Sequence, residues 1–316
     1  MNIKQLRYFI GIVRHRSFSK AADELGLTQP ALSLQIQKLE EECEFMLIDR
    51  SRKPLGISPE GMIFYEKALQ ILQLVDDLDR LSINMIDGIE RQLRVGIIST
   101  VAPYLVPMFS AVLLEKHPEL HLIIEELTTE NIVTKLNYNE IDLGLFSTPI
   151  HAKNLEYKHL FYEKFYLYVS PKHPLYSQEE VDIADIKLDD MLYLTEGTCF
   201  RNQVDSICLA AQERTRNLQF EYTSDSIESL KRLVENRGGI AFIPEFAARN
   251  ISKGCEMMIK EIKGGSPSRE ISAAYLKTTG LKTVVQHFID SVIATVPETM
   301  RKKPMQNPID TRIKLG

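Results

Sequence analysis

Residues 1–43 carry the pattern that most constrains the fold, three short helices separated by tight turns. Leu6, Phe9 and Val13 repeat at the helical period, and further apolar residues continue in the same way up to Leu39. Gly26 lies before the third helix, where its freedom of φ lets the chain reverse sharply. Two helices joined by such a turn form a helix-turn-helix, whose second helix enters the major groove of DNA. The alternative is a helical module that binds other proteins.

Helix caps and the placement of charge favour the DNA-binding interpretation. Ser17 and Thr28 are suitable N-caps for the second and third helices, and Pro30 fits the first turn of the third. Residues 1–60 hold nine Lys and Arg against eight Asp and Glu, but four of the acids cluster at the far end of the third helix. The start of the second helix and a predicted wing at residues 47–57 therefore stay basic, as phosphate contacts require.

A long amphipathic helix is predicted after the wing. Ser58 caps it, Pro59 takes its first position, and Glu60 suits the positive end of the helix dipole. After a first interval of seven residues, its apolar residues recur at alternating intervals of three and four residues. This is the spacing of a coiled-coil seam. The helix covers residues 58–88 and is about 40 Å long. A helix packed on its own domain is the alternative, but a seam between two domains favours dimerisation. The seam residues are Phe64, Ile71, Leu74, Leu78, Leu81 and Met85.

From Leu93 onwards, short apolar strands alternate with helices, which predicts an α/β domain with a mostly parallel sheet. Ligands of such sheets bind at the carboxyl ends of the strands. Ser99-Thr100, Thr128-Thr129 and Cys199 each follow a predicted strand, so we expect them to converge on one cleft. The predicted strands cover 93–98, 121–127, 141–146, 165–169, 191–194, 220–223, 240–243 and 271–276, and the predicted helices 104–116, 131–138, 226–236 and 283–296.

Cys199 and Cys208 lie nine residues apart in a segment that reads as one helix capped by Thr198. We expect the helix dipole and nearby Arg201 to favour the Cys199 thiolate, the reactive species. A continuous helix separates the two residues by about 13 Å along its axis, whereas a disulfide needs Cα atoms within about 7 Å. The pair can be bridged only if the helix unwinds, as in a redox switch. Alternatively, both are small buried apolar residues.

Composition excludes several classes of protein. The net charge of −5 excludes a polycation, so any nucleic-acid binding is local. Four cysteines in 316 residues do not suggest a disulfide scaffold, and the seven histidines show no metal-ligand spacing, so no metal and no cofactor are expected. No signal-like segment and no apolar run of about 18 residues is present, which predicts a soluble cytoplasmic protein with no membrane partner. Residues 300–316 are polar and basic and are expected to be disordered.

Several runs of residues in the N-terminal region form one long motif: Leu6-Arg7-Tyr8-Phe9, Ser17 to Ala22, Leu25, Thr28 to Ser33, Ile36 to Glu40 and Ser58 to Gly61. This motif resembles the winged helix-turn-helix of LysR-type transcriptional regulators. The resemblance implies a winged helix-turn-helix at 1–60, a dimerising linker helix at 58–88, and a two-lobed, periplasmic-binding-protein-like (type 2) effector domain at 91–299. Lobe I would comprise about 91–163 and 268–299, and lobe II about 164–267. The implied contacts are to base edges from Thr28, Gln29, Pro30, Ala31, Ser33 and Gln35, and to phosphates from Lys20, Arg50, Arg52 and Lys53.

A second motif runs through the α/β region: Thr100-Val101, Pro103-Tyr104-Leu105, Thr129, and Gly197-x-Cys199-x-Arg201-x-Gln203-x4-Cys208. It resembles the LysR-type regulators that sense hydrogen peroxide, and the likeness covers residues 1 to about 299. The resemblance implies that Cys199 is the peroxidatic cysteine, which forms a sulfenic acid, and that Cys208 resolves it as a disulfide. Thr100, Thr129, Thr198 and Arg269 would hold the peroxide. Two positions depart from the resemblance, because Thr198 stands where such regulators often carry histidine and Asn202 where they often carry an acid.

The same resemblance implies the partners. They are double-stranded DNA, hydrogen peroxide, RNA polymerase and a reductant such as glutaredoxin or thioredoxin, and the assembly is a homodimer or homotetramer. It implies a regulator rather than an enzyme, with Cys43 and Cys255 passive. Two alternatives stay open. One is a LysR-type regulator whose cleft binds a small-molecule effector while the cysteines are inert, and the other is a thiol peroxidase, which has little need of a helix-turn-helix.

Overall fold

The computed structural model describes residues 1–52, 54–87, 92–150, 152–195, 198–208 and 224–313. The chain divides into two compact units, residues 1–89 and residues 90–316.

The first unit begins with the three predicted helices. The Ser17 hydroxyl accepts a hydrogen bond from the amide of Lys20, and the Thr28 hydroxyl accepts one from the amide of Ala31. Gly26 adopts a φ of +65° in the turn between the second and third helices, a conformation that a side chain disfavours. The predicted caps and turn are therefore confirmed. The helices are α1 (Ile3–His15), α2 (Phe18–Glu24) and α3 (Gln29–Cys43).

The predicted wing is a two-stranded antiparallel hairpin of β1 (Ile48–Asp49) and β2 (Gly56–Ile57). Glu40 is one of the four acids at the end of α3, and it is buried. Its Oε1 accepts hydrogen bonds from the amides of Leu47 and Ile48 at 2.8 and 3.1 Å. A buried carboxylate thus fixes the start of the wing to α3.

The long helix α4 (Pro59–Asp87) has 29 residues, or about 44 Å at 1.5 Å per residue. Phe64, the first residue of the predicted seam, packs on the three-helix core. The following seam residues are exposed, by 37 % for Ile71, 59 % for Leu74 and 64 % for Leu78. The side chains of Leu81 and Met85 lie outside the described residues.

The described strands of the second unit form a sheet with the order β4-β3-β5-β10-β6-β9-β7, and β8 also pairs with β6. The β4-β3-β5 part and the β7-β9 pair are parallel, whereas β10 and β6 run antiparallel to every neighbour. The predicted mostly parallel sheet is therefore wrong for the described strands, because β10 returns between β5 and β6 and runs against both. The strands are β3 (Gln92–Ile98), β4 (His121–Leu127), β5 (Leu143–Thr148), β6 (Leu155–Val169), β7 (Glu180–Val181), β8 (Ile240–Pro244), β9 (Ile259–Ile262) and β10 (Ser268–Leu276).

Strand β6 connects the two halves of this sheet. Its residues 155–164 pair with β10, and its residues 165–169 pair with β8 and β9. The strand predicted at 191–194 is wrong, since only Met191 forms an isolated bridge, to Ile240. The strand predicted at 220–223 lies outside the described residues. The predicted helices are confirmed as α5 (Ala102–Lys116), α6 (Thr129–Asn137), α8 (Ile227–Arg237) and α10 (Lys282–Thr295). The described residues also form α7 (Cys199–Ile207), α9 (Glu245–Arg249) and α11 (Glu298–Arg301).

The expected disorder of residues 300–316 is wrong for the described part, residues 300–313. The amide of Ile309 donates to the carbonyl of Ser268 at 2.8 Å, and the hydroxyl of Thr311 donates to the carbonyl of Pro149 at 2.8 Å. Thr311 is completely buried. Polar composition did not prevent order here, because backbone groups and one hydroxyl supply the contacts.

Within the described ranges, no helix combines the length and apolar character that a bilayer crossing requires. The same residues contain no group of three His, Cys, Asp or Glu side chains placed to hold a metal ion.

Candidate functional site

The exposed start of α3 carries the predicted base-contacting residues. Gln29 is exposed, and its amide can donate and accept at once, which suits the edge of adenine. The Thr28 hydroxyl caps the helix as an acceptor and keeps its proton for donation. Thr28, Gln29, Pro30 and Ala31 are exposed, and Ser33 and Gln35 are half-buried.

The predicted phosphate-contacting residues differ in their surroundings. Lys20 is exposed. Arg50 has its Nη2 at 3.2 Å from the buried Glu40 carboxylate and its guanidinium 5.3 Å over the ring of Phe18, so it also holds the wing against the helices. Arg52 pairs with Asp49 at 2.9 Å. Lys53 lies outside the described residues. All four phosphate contacts stay predictions.

In the second unit, α7 begins at Cys199, as predicted. The Thr198 hydroxyl accepts a hydrogen bond from the Arg201 amide at 3.2 Å and donates one to the Thr195 carbonyl at 3.1 Å. Thr198 is therefore the N-cap of α7, and its hydroxyl already makes two hydrogen bonds. Its predicted contact with peroxide has to compete with this capping role.

The Cys199 thiol faces a cavity of about 20 Å³ whose lining includes Thr100, Thr129 and Thr198. The Sγ of Cys199 lies 2.7 Å from the Oγ1 of Thr129, and both residues are buried. A cavity needs roughly 10–15 Å³ of this kind of volume to hold one water molecule. The site therefore has room for a molecule of about that size and not for a large ligand.

A buried ion pair lies behind the cavity. The guanidinium of Arg269 donates to the Thr100 hydroxyl at 3.0 Å and to the Glu163 carboxylate at 2.9 and 2.7 Å. Arg269 and Glu163 are both completely buried. The guanidinium also lies 5.2 Å from the ring centroid of Phe200, the residue after Cys199. Arg269 thus joins β10 to the first turn of α7 and to the cavity.

Burial raises the pKa of the Cys199 thiol to about 12. The hydrogen bond to Thr129 and the positive charge of Arg269 lower this pKa, while the negative charge of Glu130 raises it. Desolvation is the largest of these effects, because a thiolate loses its water shell in so small a cavity.

Burial therefore opposes the expected thiolate, and Arg201 is not placed to stabilise it. Arg201 points elsewhere: its Nε pairs with Asp205 at 3.0 Å, and its guanidinium lies 3.6 Å over the ring of Tyr193. Burial thus favours the protonated thiol, whose proton has to leave when the sulfur reacts with peroxide.

Cys208 is the C-cap residue of α7, at the opposite end from Cys199. The predicted helix between the two cysteines is therefore confirmed. The rise of the helix over nine residues places Cys208 about 13 Å further along the axis than Cys199. All four cysteines are thiols. The Sγ of Cys208 lies 3.9 Å from the Sδ of Met191.

Sequence reasoning assigned no role to three polar groups around this site. Glu163 is an acid inside a buried strand, which is a signal that a buried partner exists. Gln203 belongs to the cysteine motif and is completely buried, with its Nε2 donating to the Ser147 hydroxyl at 3.1 Å. Asp225 lines the cavity, and its buried Oδ1 has no hydrogen-bond partner among the described residues. No pattern in the sequence pointed to Asp225.

Comparison with known proteins assigns the family. Residues 3–62 match the bacterial regulatory helix-turn-helix protein model of the lysR family, and residues 87–297 match the LysR substrate binding domain. The chain belongs to the LysR family.

Individual members of the LysR family resemble this chain over most of its length. The hydrogen peroxide-inducible genes activator of Haemophilus influenzae is 30 % identical over 294 residues, which are 92 % of this chain and 96 % of that protein. The DNA-binding transcriptional dual regulator OxyR of Escherichia coli is 27 % identical over 93 % of this chain and 95 % of its own. The crystal structure of OxyR from Porphyromonas gingivalis is 27 % identical, with a TM-score of 0.64 over 69 % of this chain and 99 % of that one. The resemblance to peroxide-sensing regulators is confirmed by these relatives.

Proposed function

We propose that this LysR-family protein is a transcriptional regulator that senses hydrogen peroxide through Cys199. The observation that carries the proposal is the buried Cys199 thiol, 2.7 Å from the Thr129 hydroxyl in a cavity of about 20 Å³. The relatives that are named as peroxide-inducible activators and OxyR support the same function.

The proposed reaction has two steps. The Cys199 sulfur attacks one oxygen of the peroxide, the O–O bond breaks, and the products are a sulfenic acid and one water molecule. The Cys208 thiol then attacks the Cys199 sulfur, and a disulfide and a second water molecule form. Thr100 and Thr129 supply hydroxyl groups to the peroxide, and Arg269 orients Thr100 through their hydrogen bond. Thr198 contributes by capping the helix that carries Cys199.

The volume of the cavity argues against the first alternative, a metabolite in the same place. An engineered cavity that binds benzene has a volume of roughly 150 Å³, and the space beside Cys199 is far smaller. The second alternative, a thiol peroxidase, leaves the winged helix-turn-helix without a role. Specific DNA binding together with sub-stoichiometric turnover of peroxide would exclude it.

Intact mass spectrometry after one equivalent of peroxide tests the proposal. The unchanged protein should lose two mass units as a disulfide forms, and Cys208→Ser should stop at a sulfenic acid that dimedone traps. Cys255→Ser serves as the control and should still form the disulfide. A disulfide that maps to Cys43 or Cys255, or a response that persists in Cys199→Ser, would refute the assignment.

The proposal extends to partners. The α3 face would read double-stranded DNA in the cytoplasm, and RNA polymerase would receive the signal. The exposed stripe of Ile71, Leu74 and Leu78 would pair two copies into a homodimer, from which a homotetramer can assemble. A dithiol reductant such as glutaredoxin or thioredoxin would return the disulfide to two thiols, and the reaction needs no cofactor.

A further inference from the structure

Residues 302–313, here called the C-terminal strap, connect the sheet to the helix that carries both reactive cysteines. On the sheet side, Ile309 donates its amide to the Ser268 carbonyl, and Thr311 donates its hydroxyl to the Pro149 carbonyl, both at 2.8 Å. On the helix side, the strap accepts two hydrogen bonds from α7. The Gln203 Nε2 donates to the Ile309 carbonyl at 2.9 Å, and the Asn202 Nδ2 donates to the Thr311 carbonyl at 3.2 Å.

Both helix-side donors lie between Cys199 and Cys208. Gln203 is completely buried, and the same Nε2 also bonds the Ser147 hydroxyl at the end of β5. Their positions depend on the helical conformation of residues 199–207. The strap therefore recognises α7 only while α7 is folded.

Disulfide formation requires the opposite conformation. Cys199 and Cys208 stand about 13 Å apart along α7, so the Cα atoms can come within about 7 Å only when the helix unwinds. Unwinding carries Asn202 and Gln203 away from the strap carbonyls. We infer that the C-terminal strap is a positioning element of the redox reaction, which holds α7 helical, slows disulfide closure and is released when the disulfide forms. This inference rests on the proposed function.

The strap supplies no reacting atom. It acts on the second step, in which the Cys208 thiol displaces hydroxide from the Cys199 sulfenic acid and water leaves. It should leave the first step unchanged, because the peroxide cavity is lined by residues outside the strap. The coupling is reciprocal. The bound strap makes disulfide formation less favourable, and the disulfide makes binding of the strap less favourable by the same free energy.

A purely structural strap would behave differently. It would stabilise the domain equally with and without the disulfide, and its removal would lower the melting temperature while leaving the ratio of the two rates unchanged. The rate of the second step relative to the first therefore separates the two roles.

The experiment measures both steps by quenched flow, with alkylation and mass spectrometry of Cys199 and Cys208. In a chain that ends at Pro304, the first-order rate of disulfide closure should rise about tenfold, since two hydrogen bonds to α7 are lost. The second-order rate of sulfenic acid formation should change less than about twofold. Thr311→Val should accelerate closure by a smaller factor of about three, and Thr283→Val, at an exposed position of α10, should have no effect. Equal closure rates in all four chains would overturn the inference.

A measurement on the unaltered protein covers the case in which the shortened chain does not fold. The Ile309 amide should be protected from hydrogen exchange in the reduced protein and should lose that protection in the disulfide form. Equal protection in both states would contradict the release of the strap.

Failure of the proposed function gives a separate result. Diamide joins two thiols without peroxide chemistry. If peroxide does not oxidise Cys199, the proposed function is wrong, but diamide should still close the Cys199–Cys208 disulfide about tenfold faster in the shortened chain. Equal diamide rates in the full and shortened chains would overturn the strap while leaving the peroxide chemistry intact.

Discussion

The Sγ of Cys199 and the Oγ1 of Thr129 lie 2.7 Å apart, although the residues are 70 positions apart in the sequence. Each is the first residue of its helix, Cys199 of α7 and Thr129 of α6. Two helix N-termini therefore meet at one sulfur, and the positive end of each dipole favours negative charge there. In the resting state desolvation favours the protonated thiol, but charge that develops on sulfur and oxygen during attack on peroxide is stabilised at this point.

The first prediction concerns the Thr129 hydroxyl. Thr129→Val preserves shape and removes the hydrogen bond to Cys199, so the second-order rate of peroxide oxidation should fall by about 10- to 100-fold, as when one positioned donor is removed from a transition state. Competition for peroxide with a reference thiol measures the rate. Thr134→Val, at an exposed position of the same helix, is the control and should react normally. A Thr129→Val protein that reacts at the normal rate would show that the short contact has no chemical role.

The second prediction concerns pH. The Cys199 pKa is about 12 in the folded protein and near 9.0 in the unfolded chain. Between these values the unfolded chain has released a proton that the folded protein retains, so the free energy of unfolding falls as pH rises from about 9 towards 12 and is unaffected by this group below pH 9. From pH 9 to 10 the loss should be about 1 kcal/mol.

Urea unfolding at pH 8, 9 and 10 measures this loss against Cys199→Ser, which has no thiol to titrate. The difference between the two proteins should grow with pH. Iodoacetamide should also alkylate Cys199 about tenfold faster for each added pH unit. A rate that levels off near pH 7 would indicate a thiolate in the resting state and contradict the burial argument.

The third prediction concerns the buried ion pair. Arg269→Ala leaves the Glu163 carboxylate buried without its cation, so the free energy of unfolding should fall by about 3–5 kcal/mol. Arg232→Ala removes the exposed cation of a pair with Glu235, at 3.0 Å. Because the Glu235 carboxylate also accepts a hydrogen bond from the Tyr168 hydroxyl, this change should cost less than about 1 kcal/mol. Chemical denaturation of both variants gives the comparison. If the free energy of unfolding falls by a similar amount in the two variants, Glu163 must be protonated or hydrated when Arg269 is absent.

The sequence predicted what depends on near neighbours. Ser17, Thr28 and Thr198 were correctly assigned as caps because each bonds an amide only three residues ahead. The geometry of the cavity depends instead on contacts such as Arg269 to Glu163, which are 106 residues apart. The effect of burial on the pKa of Cys199 was missed for the same reason. The position of a residue in a helix indicates the local dipole, but it does not indicate how completely distant residues exclude water. The strap was missed because its contacts use backbone carbonyls, which carry no residue signature.

The fourth prediction concerns DNA. Gln29→Ala should weaken binding to a specific site by about 1–3 kcal/mol and reduce discrimination from random DNA, as for a lost base contact. Lys20→Ala should weaken binding to all DNA sequences alike. It should also reduce the slope of log K against log salt concentration by about one. Gln37→Ala is the matched control, since Gln37 is exposed on the same helix but bonds Glu41. Fluorescence anisotropy at several salt concentrations makes the measurement. Unchanged discrimination in Gln29→Ala would place the reading surface elsewhere.

The last prediction concerns the conformational change itself. Because α7 holds Cys199 and Cys208 too far apart to bond, oxidation must unwind residues 199–208 and expose Phe200, Val204 and Ile207, which are buried in the reduced protein. Hydrogen exchange should show that the amides of residues 200–208 lose protection on oxidation, while those of residues 6–40 keep theirs. Cys208→Ser is the control, since it can form the sulfenic acid but not the disulfide and should keep α7 protected. If residues 200–208 exchange identically in the reduced and disulfide forms, the bond forms without unwinding, and the signal must leave the site by another route.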